Sequence, residues 1–252
     1  MPIRRQFAER AIEAPDIKRG RVEPQYVKVL TRLLAAHALA EKLTAQGYRR
    51  IIPSLENAAM RAAAEKNFEE ENRHAALVYR VLAELGVDET AADRAMIAMR
   101  RSPSFEAARY FAEQAAGELD LVMASISLDM TGLIMIGVNY KESSYAPHCR
   151  AAEIILEEEA EHDLFAAGEL SAAVRRFGAE ALDGALREWL PRAVNFFGPP
   201  GSGFSYDCIR FGLKSKDNQE LAELYLTLLE RRLAKVGLQM PPLTPGYPHA
   251  IV

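Results

Sequence analysis

The 252-residue sequence predicts an all-α protein, a four-helix bundle followed by additional C-terminal helices. Three observations carry that expectation. Ala, Leu, Glu and Arg dominate while Val and Ile clusters are sparse, so helix is favoured nearly throughout. Apolar residues recur at three- and four-residue spacing through four long runs, and no strand-like alternation competes. A Glu-x-x-His unit occurs twice inside those runs, at Glu71–His74 and at Glu159–His162, and each copy follows an acid thirty positions upstream, Glu41 and Asp129.

Composition narrows the class. The chain is 49% apolar and 26% charged, an ordinary balance for a globular protein. A net charge of −4 with no block of five like charges gives no argument for nucleic acid as a partner. Cys149 and Cys208 are too few for a disulfide framework, lack metal-ligand spacing and read as inert core thiols. The start of the chain shows no secretory apolar core, and the longest apolar run, Met130 to Val138, falls short of the ~20 residues of a membrane span. The expectation is a cytoplasmic protein without a membrane partner. It folds as a single domain over 1–252, with a core bundle over about 24–177 and C-terminal helices over about 179–236.

Residues 1–22, with Pro2 and Pro15, read as an irregular arm with at most one helical turn. A first helix spans about Pro24 to Gln46, where Gly47 stops it; its stripe is Val27, Leu30, Leu34, His37 and Glu41. Pro53 and Ser54 open a second, very long helix to Leu85, with Met60, Ala64, Asn67, Phe68, Glu71, His74 and Val78 on one face. Thr90 caps a short helix to about Met99. Ser102-Pro103-Ser104 opens a third long helix from Phe105 to Lys141, bent near Gly117 or Gly132, with Glu118, Val122, Ile126, Asp129, Leu133 and Ile136 aligned. The fourth starts at Tyr145-Ala146-Pro147 and ends at Phe177 before Gly178, placing Ala152, Ile155, Glu159, His162 and Ala166 inward. A fifth, Ala179 to Phe197, carries the only tryptophan, Trp189. Pro199 to Gly203 is a loop, a last helix spans Asn218 to Val236, and the Pro-rich tail from Pro241 lies over the surface.

Polar residues in the middle of apolar stripes need a reason. Positions i and i+3 share a helix face, so Glu71 with His74, and Glu159 with His162, can grip a metal each. A carboxylate buried between helices costs several kcal/mol unless it is paired or metal-bound. Glu41, Glu71, Asp129 and Glu159 supply four negative charges, which two divalent cations balance, and His74 and His162 complete the set. Carboxylate and neutral imidazole suit iron or manganese, with zinc also accommodated. One Glu-x-x-His in an Ala- and Glu-rich protein is usually a solvated face; two copies at one spacing are not. Asp129 is preferred to Glu118, three turns earlier on the same stripe, because only Asp129 keeps the thirty-residue symmetry, and Asp120 falls on the surface.

Ligand histidines usually donate their second ring N–H to a carboxylate or carbonyl. The pattern assigns Glu70 to His162 and Glu158 to His74, each across the bundle, with Arg73 balancing charge; the alternative is exposed helix charges. His37, one turn before Glu41, either supports the ligands or is a satisfied core histidine. Tyr79, Tyr140 and Tyr145 read as aromatic packing, and His148 and His249 as surface residues.

At these residues the chain resembles the ferritin-like di-iron oxygenases, and more narrowly the phenylacetate-CoA oxygenase family in its catalytic, ring-epoxidising subunit. The resemblance rests on Leu33-Leu34-Ala35-Ala36-His37-Ala38-Leu39-Ala40-Glu41, Glu70-Glu71-Asn72-Arg73-His74 and Leu128-Asp129. It continues through Ser144-Tyr145-Ala146-Pro147, Glu158-Glu159-Ala160-Glu161-His162, Phe211-Gly212-Leu213-Lys214, Asn218-Gln219-Glu220-Leu221 and the helix ending Leu233-Ala234-Lys235-Val236-Gly237-Leu238. It covers most of 24–243. What it implies is a centre of two Fe ions (Mn or a mixed Mn/Fe pair being compatible) that activates dioxygen and inserts one oxygen atom into an aromatic ring held as a CoA thioester.

The same resemblance implies electrons from a separate flavin and iron–sulfur reductase. It also implies a homo- or hetero-oligomer with a related helical subunit that lacks the ligands. All six ligand positions are filled here, as in the catalytic type. The chain is shorter than the typical catalytic subunit, and Glu70 stands where the family commonly has Asp, so a paralogue with another substrate is an open alternative. No residue is assigned to a CoA pocket. Iron handling without an organic substrate, or a structural subunit with retained ligands, are the other readings; His162 argues against the first, since ferritins usually lack the second histidine.

Overall fold

The computed structural model describes residues 11–243, and among them every regular element is helical apart from one isolated bridge between Ile12 and Tyr145. His249 and most of the Pro-rich tail lie outside the described residues. A short α1 (Ala14–Lys18) leads into α2 (Pro24–Ile51), whose Pro24 sits where a missing N–H costs nothing. Gly47 does not end α2, contrary to the sequence expectation. The helix runs through it because a Cβ there would collide with the Phe111 ring, so the glycine lets α5 (Glu106–Glu113) pack close.

α3 (Ala58–Glu84) packs along α2. It starts later than Pro53-Ser54 suggests: Ile52–Ser54 forms a single 3-10 turn, and Asn57 is the cap, its side-chain oxygen accepting from the N–H of Ala59 at 2.9 Å and of Met60 at 3.2 Å. α4 (Glu89–Met99) is capped by Asp88 rather than Thr90, with the Ala91 N–H 2.7 Å from Asp88 Oδ1. The aspartate stands one residue before the helical dihedrals begin, and Thr90 is already inside.

The expected third helix is several pieces. After α5 the chain breaks at 114–116 and restarts at Gly117, whose φ of +78° is readily available only to glycine. Then follow α6 (Gly117–Ala124), a π-helical stretch Ser125–Asp129, α7 (Met130–Ile134) and a second π-helical stretch Met135–Asn139. Gly132 is not a bend; it sits inside α7, and a Cβ there would lie 3.3 Å from Glu159 Oε2. The run Gly117–Glu142 is long and apolar enough to cross a membrane by composition, but 78% of its most apolar window is buried inside the protein. It is a core run of the bundle, mostly apolar because neighbouring helices cover it. Reading only unbroken apolar residues understated it, since Ser125, Ser127 and Asp129 interrupt the run.

α8 (Ala146–Phe177) completes the bundle and stops at Gly178, φ +81°. Its start is pinned from two sides: the Ile12 N–H bonds Ser144 O at 2.8 Å, the Ala146 N–H bonds Ile12 O at 2.9 Å, and the Ser144 N–H bonds Gly212 O at 2.8 Å. α9 (Ala179–Asn195) buries Trp189, whose ring N–H donates to Asp120 Oδ1 at 3.0 Å. Asp120 is therefore half-buried rather than a surface charge, because an indole N–H under α9 needs an acceptor. α10 (Gly203–Arg210), capped by Ser202, was not expected from the loop-like composition around it, and α11 (Asn218–Lys235) closes with a capping box at Asp217 and Glu220.

Candidate metal centre

The bundle delivers one cluster to its centre. α2 contributes Glu41, α3 Glu71 and His74, the first π-helical stretch Asp129, and α8 Glu159 and His162; none is more than 6% exposed. Ligand atoms of Glu41, Glu71, His74 and Glu159 lie within 4.8 Å of one another, as do those of Glu71, Asp129 and His162. Glu71 belongs to both groups. Its Oε2 is 3.8 Å from His74 Nδ1 and its Oε1 is 3.8 Å from His162 Nδ1, so one carboxylate faces both histidines. His74 Nδ1 also lies 3.5 Å from Glu41 Oε2 and 3.6 Å from Glu159 Oε1.

Each ring is turned by a carboxylate behind it. His74 Nε2 is 2.8 Å from Glu158 Oε2, and His162 Nε2 is 2.8 Å from Glu70 Oε2. These crossed pairs run α3 and α8 antiparallel at this level. Exposed Arg73 joins them, with Nη2 2.9 Å from Glu158 Oε1 and 3.4 Å from Glu70 Oε1. With Nε2 occupied, each Nδ1 points into the cluster, and both Nδ1 atoms are buried without a hydrogen-bond partner. A buried orphan nitrogen facing carboxylates is what a metal ligand looks like before the ion is considered. The donor set therefore fits a metal pair, and the cluster is able to hold metal.

The electrostatics agree. Burial, then the charges of neighbouring carboxylates, push Glu71 and Glu159 well above the usual carboxylate range. Burial raises Asp129 to about 8 against the opposing hydroxyls of Tyr48 and Ser125. Glu41 goes the other way: burial alone would raise it, but the imidazoles of His37 and His74 beside it, 2.8 and 3.5 Å from its oxygens, hold it below the usual range. Burial would lower His74, and the Glu41 carboxylate outweighs this and lifts it to about 9. Without cations the site keeps protons where a metal centre would keep positive charge.

Three neighbours complete the surroundings. The Tyr48 hydroxyl donates toward Asp129 Oδ1 and Oδ2, and the Asn67 side-chain N–H donates to the Tyr48 oxygen at 3.0 Å. Sequence reasoning missed Tyr48 because Gly47 was read as the end of the helix; the signal was its place two turns after Glu41 on the same stripe. His37 Nε2 lies 2.8 Å from Glu41 Oε1 with a bent approach. His148 is fully buried, not on the surface, with Nε2 3.1 Å from His37 Nδ1. The pinned start of α8 carries it inward, and its position three turns before Glu159 was the available signal.

Glu118 does not join the cluster: it accepts from the Asn57 N–H at 2.8 Å and pairs with Arg176. Tyr140 packs against His37 and His148. Tyr79 bonds Lys42 and Asp93 instead. Tyr145 is buried within the packed core. Both cysteines are free thiols, Cys208 buried and Cys149 half-buried.

A cavity of about 290 Å³ opens against this centre, with His37 and Glu41 in its wall. Leu33, Phe105 and Phe197 give it apolar sides, Arg32 adds positive charge, and the buried Lys214, whose pKa burial lowers, donates to Asn218 Oδ1 at 2.6 Å in its wall.

Fold and site together define a ferritin-like helical bundle with a buried carboxylate–histidine cluster able to hold metal ions. The chain belongs to the phenylacetic acid catabolic protein family, whose family model matches residues 18–247. That family places it in phenylacetate catabolism. No curated protein matches the sequence.

Proposed function

We propose that the protein is the catalytic subunit of a di-iron monooxygenase that epoxidises or hydroxylates an aromatic acyl-CoA such as phenylacetyl-CoA. The observation that carries the reading is Glu71, one carboxylate set between two orphaned histidine nitrogens, in a cluster whose Glu41 borders a cavity. Glu41, Glu71, His74, Asp129, Glu159 and His162 would hold the metals. Bound iron, or manganese in a mixed pair, would supply the redox chemistry with dioxygen. One oxygen atom enters the substrate and the other leaves as water, so an electron pair and two protons must come from outside, the electrons from a separate reductase.

The protein's own part is arrangement. Glu70 and Glu158 turn the histidine rings, and Arg73 offsets their charge. The apolar wall of the cavity excludes water and seats a ring against the Glu41 side of the cluster, while Arg32 suits an anionic handle. A related helical subunit is the expected partner. The test is metal content per chain, followed by anaerobic reduction and a pulse of dioxygen with phenylacetyl-CoA. Two irons and a product heavier by one oxygen support the reading. Iron oxidation with the acyl-CoA untouched moves the protein to iron handling.

A further inference from the structure

Glu41 is divided between two neighbours. Its Oε2 faces the cluster, 3.5 Å from His74 Nδ1, while its Oε1 is 2.8 Å from His37 Nε2. Behind His37 stands His148, Nε2 to Nδ1 at 3.1 Å, and the Tyr140 ring lies 4.7 Å from both imidazoles. Neither histidine belongs to the ligand set, and both are buried.

We propose that His148, acting through His37, is a positioning residue that fixes which oxygen Glu41 presents to the metal pair. The contact between the rings needs one donor and one acceptor. If His37 donated from Nδ1, its bare Nε2 would face a carboxylate oxygen at 2.8 Å, and His148 would carry its proton on Nδ1, a buried atom with no partner. If His148 donates from Nε2, His37 carries its proton on Nε2 toward Glu41, and His148 Nδ1 is left with only a lone pair. An orphaned lone pair costs less than an orphaned N–H beside a repelling pair of acceptors. The second tautomer is therefore the one the packing selects. Burial keeps His148 well below the ordinary histidine range, so it stays a neutral donor.

The two halves of the bundle agree on the device. Asp129 is met by the Tyr48 hydroxyl, itself held by Asn67, as Glu41 is met by His37, itself held by His148. Only the Glu41 side borders the cavity, where a carboxylate free to swing would close the space a substrate needs. His37 holds Oε1 away from the metals and leaves Oε2 as the single ligand atom.

The proposal rests on the di-metal reading, and its test separates the two. Wild type, His148→Phe and His148→Gln are compared; glutamine keeps an N–H donor near Nε2. Nitrogen NMR of histidine-labelled, zinc-loaded protein should show His37 protonated on Nε2 and bare on Nδ1 in wild type and His148→Gln. In His148→Phe the two tautomers should mix. Cobalt titrations should find affinity weakened at least about tenfold in His148→Phe, with an altered visible band, and restored by His148→Gln. A wild-type His37 protonated on Nδ1, or an unchanged tautomer and cobalt affinity in His148→Phe, overturns the proposal. A wild-type protein that takes up neither cobalt nor zinc overturns the metal reading itself, whatever the variants show.

Discussion

The hydroxyl of Tyr48 sits 3.2 Å from Asp129 Oδ1 and 3.1 Å from Oδ2, straddling the one cluster carboxylate that comes from a π-helical stretch. It is held there by Asn67, which donates to the same oxygen. Tyr48→Phe removes the donor and leaves Asn67 without its acceptor. The expected cost to the metal-free protein is about 1–3 kcal/mol, read by urea unfolding. Affinity for the metal nearer His162 should fall by about tenfold in a competition titration. Unchanged affinity would mean that Tyr48 packs against Asp129 without orienting it.

Glu71 and His162 should differ in what they remove. Glu71 faces both histidines, whereas His162 shares a group only with Glu71 and Asp129. Glu71→Ala should therefore lose both metals, while His162→Ala keeps the one on the Glu41 side. Elemental analysis of purified variants checks this, with circular dichroism confirming that helicity is retained. Equal metal content in Glu71→Ala and wild type would sink the ligand assignment.

Two glycines make a matched pair. Gly47→Ala drives a Cβ into the Phe111 ring, which is locked between Tyr48 and Trp189, so it should destabilise by about 1–3 kcal/mol. Gly132→Ala places a Cβ 3.3 Å from the flexible end of Glu159, which can move by a few tenths of an ångström. That variant should melt close to wild type yet bind metal more weakly, because the atom displaced is a candidate ligand oxygen. Thermal melts and metal titrations of the two variants separate packing from ligation.

These pairs also show what the sequence could say. The stripes and the thirty-residue repeat located Glu41, Glu71, His74, Asp129, Glu159 and His162 on inward faces, because burial of a helix face leaves a period in the chain. The crossed partners Glu70 and Glu158 followed from being one residue ahead of their glutamates. Gly47 misled, since a glycine ending a helix and a glycine admitting an aromatic ring look alike in one dimension. The π-helical stretches around Asp129 shift hydrogen bonds by one residue and leave no mark on hydropathy. The cavity draws Leu33, Phe105, Phe197 and Lys214 from four distant segments, and only folding brings them together.

Metal removal should make stability depend on pH in a definite direction. Asp129 rises to about 8 in the folded, metal-free protein, against about 3.9 for an unfolded aspartate. A carboxyl whose folded pKa lies above its unfolded one binds more protons in the native state, so its stabilisation is complete below about pH 4 and is lost as pH climbs to about 8. Glu71 and Glu159 shift the same way, and His74, lifted to about 9, adds stability that also fades as pH rises through that value, while His148 and His162, lowered by burial, oppose the trend only below about 6.5. The chelated protein should thus lose on the order of 5–10 °C in melting temperature between pH 5.5 and 8.5. The metal-loaded protein should stay nearly flat, because cations hold the carboxylates ionised across the whole range. Differential scanning fluorimetry with and without chelator measures both curves. A chelated protein that grows more stable with pH would show that the cluster is held by ion pairs rather than by shared protons.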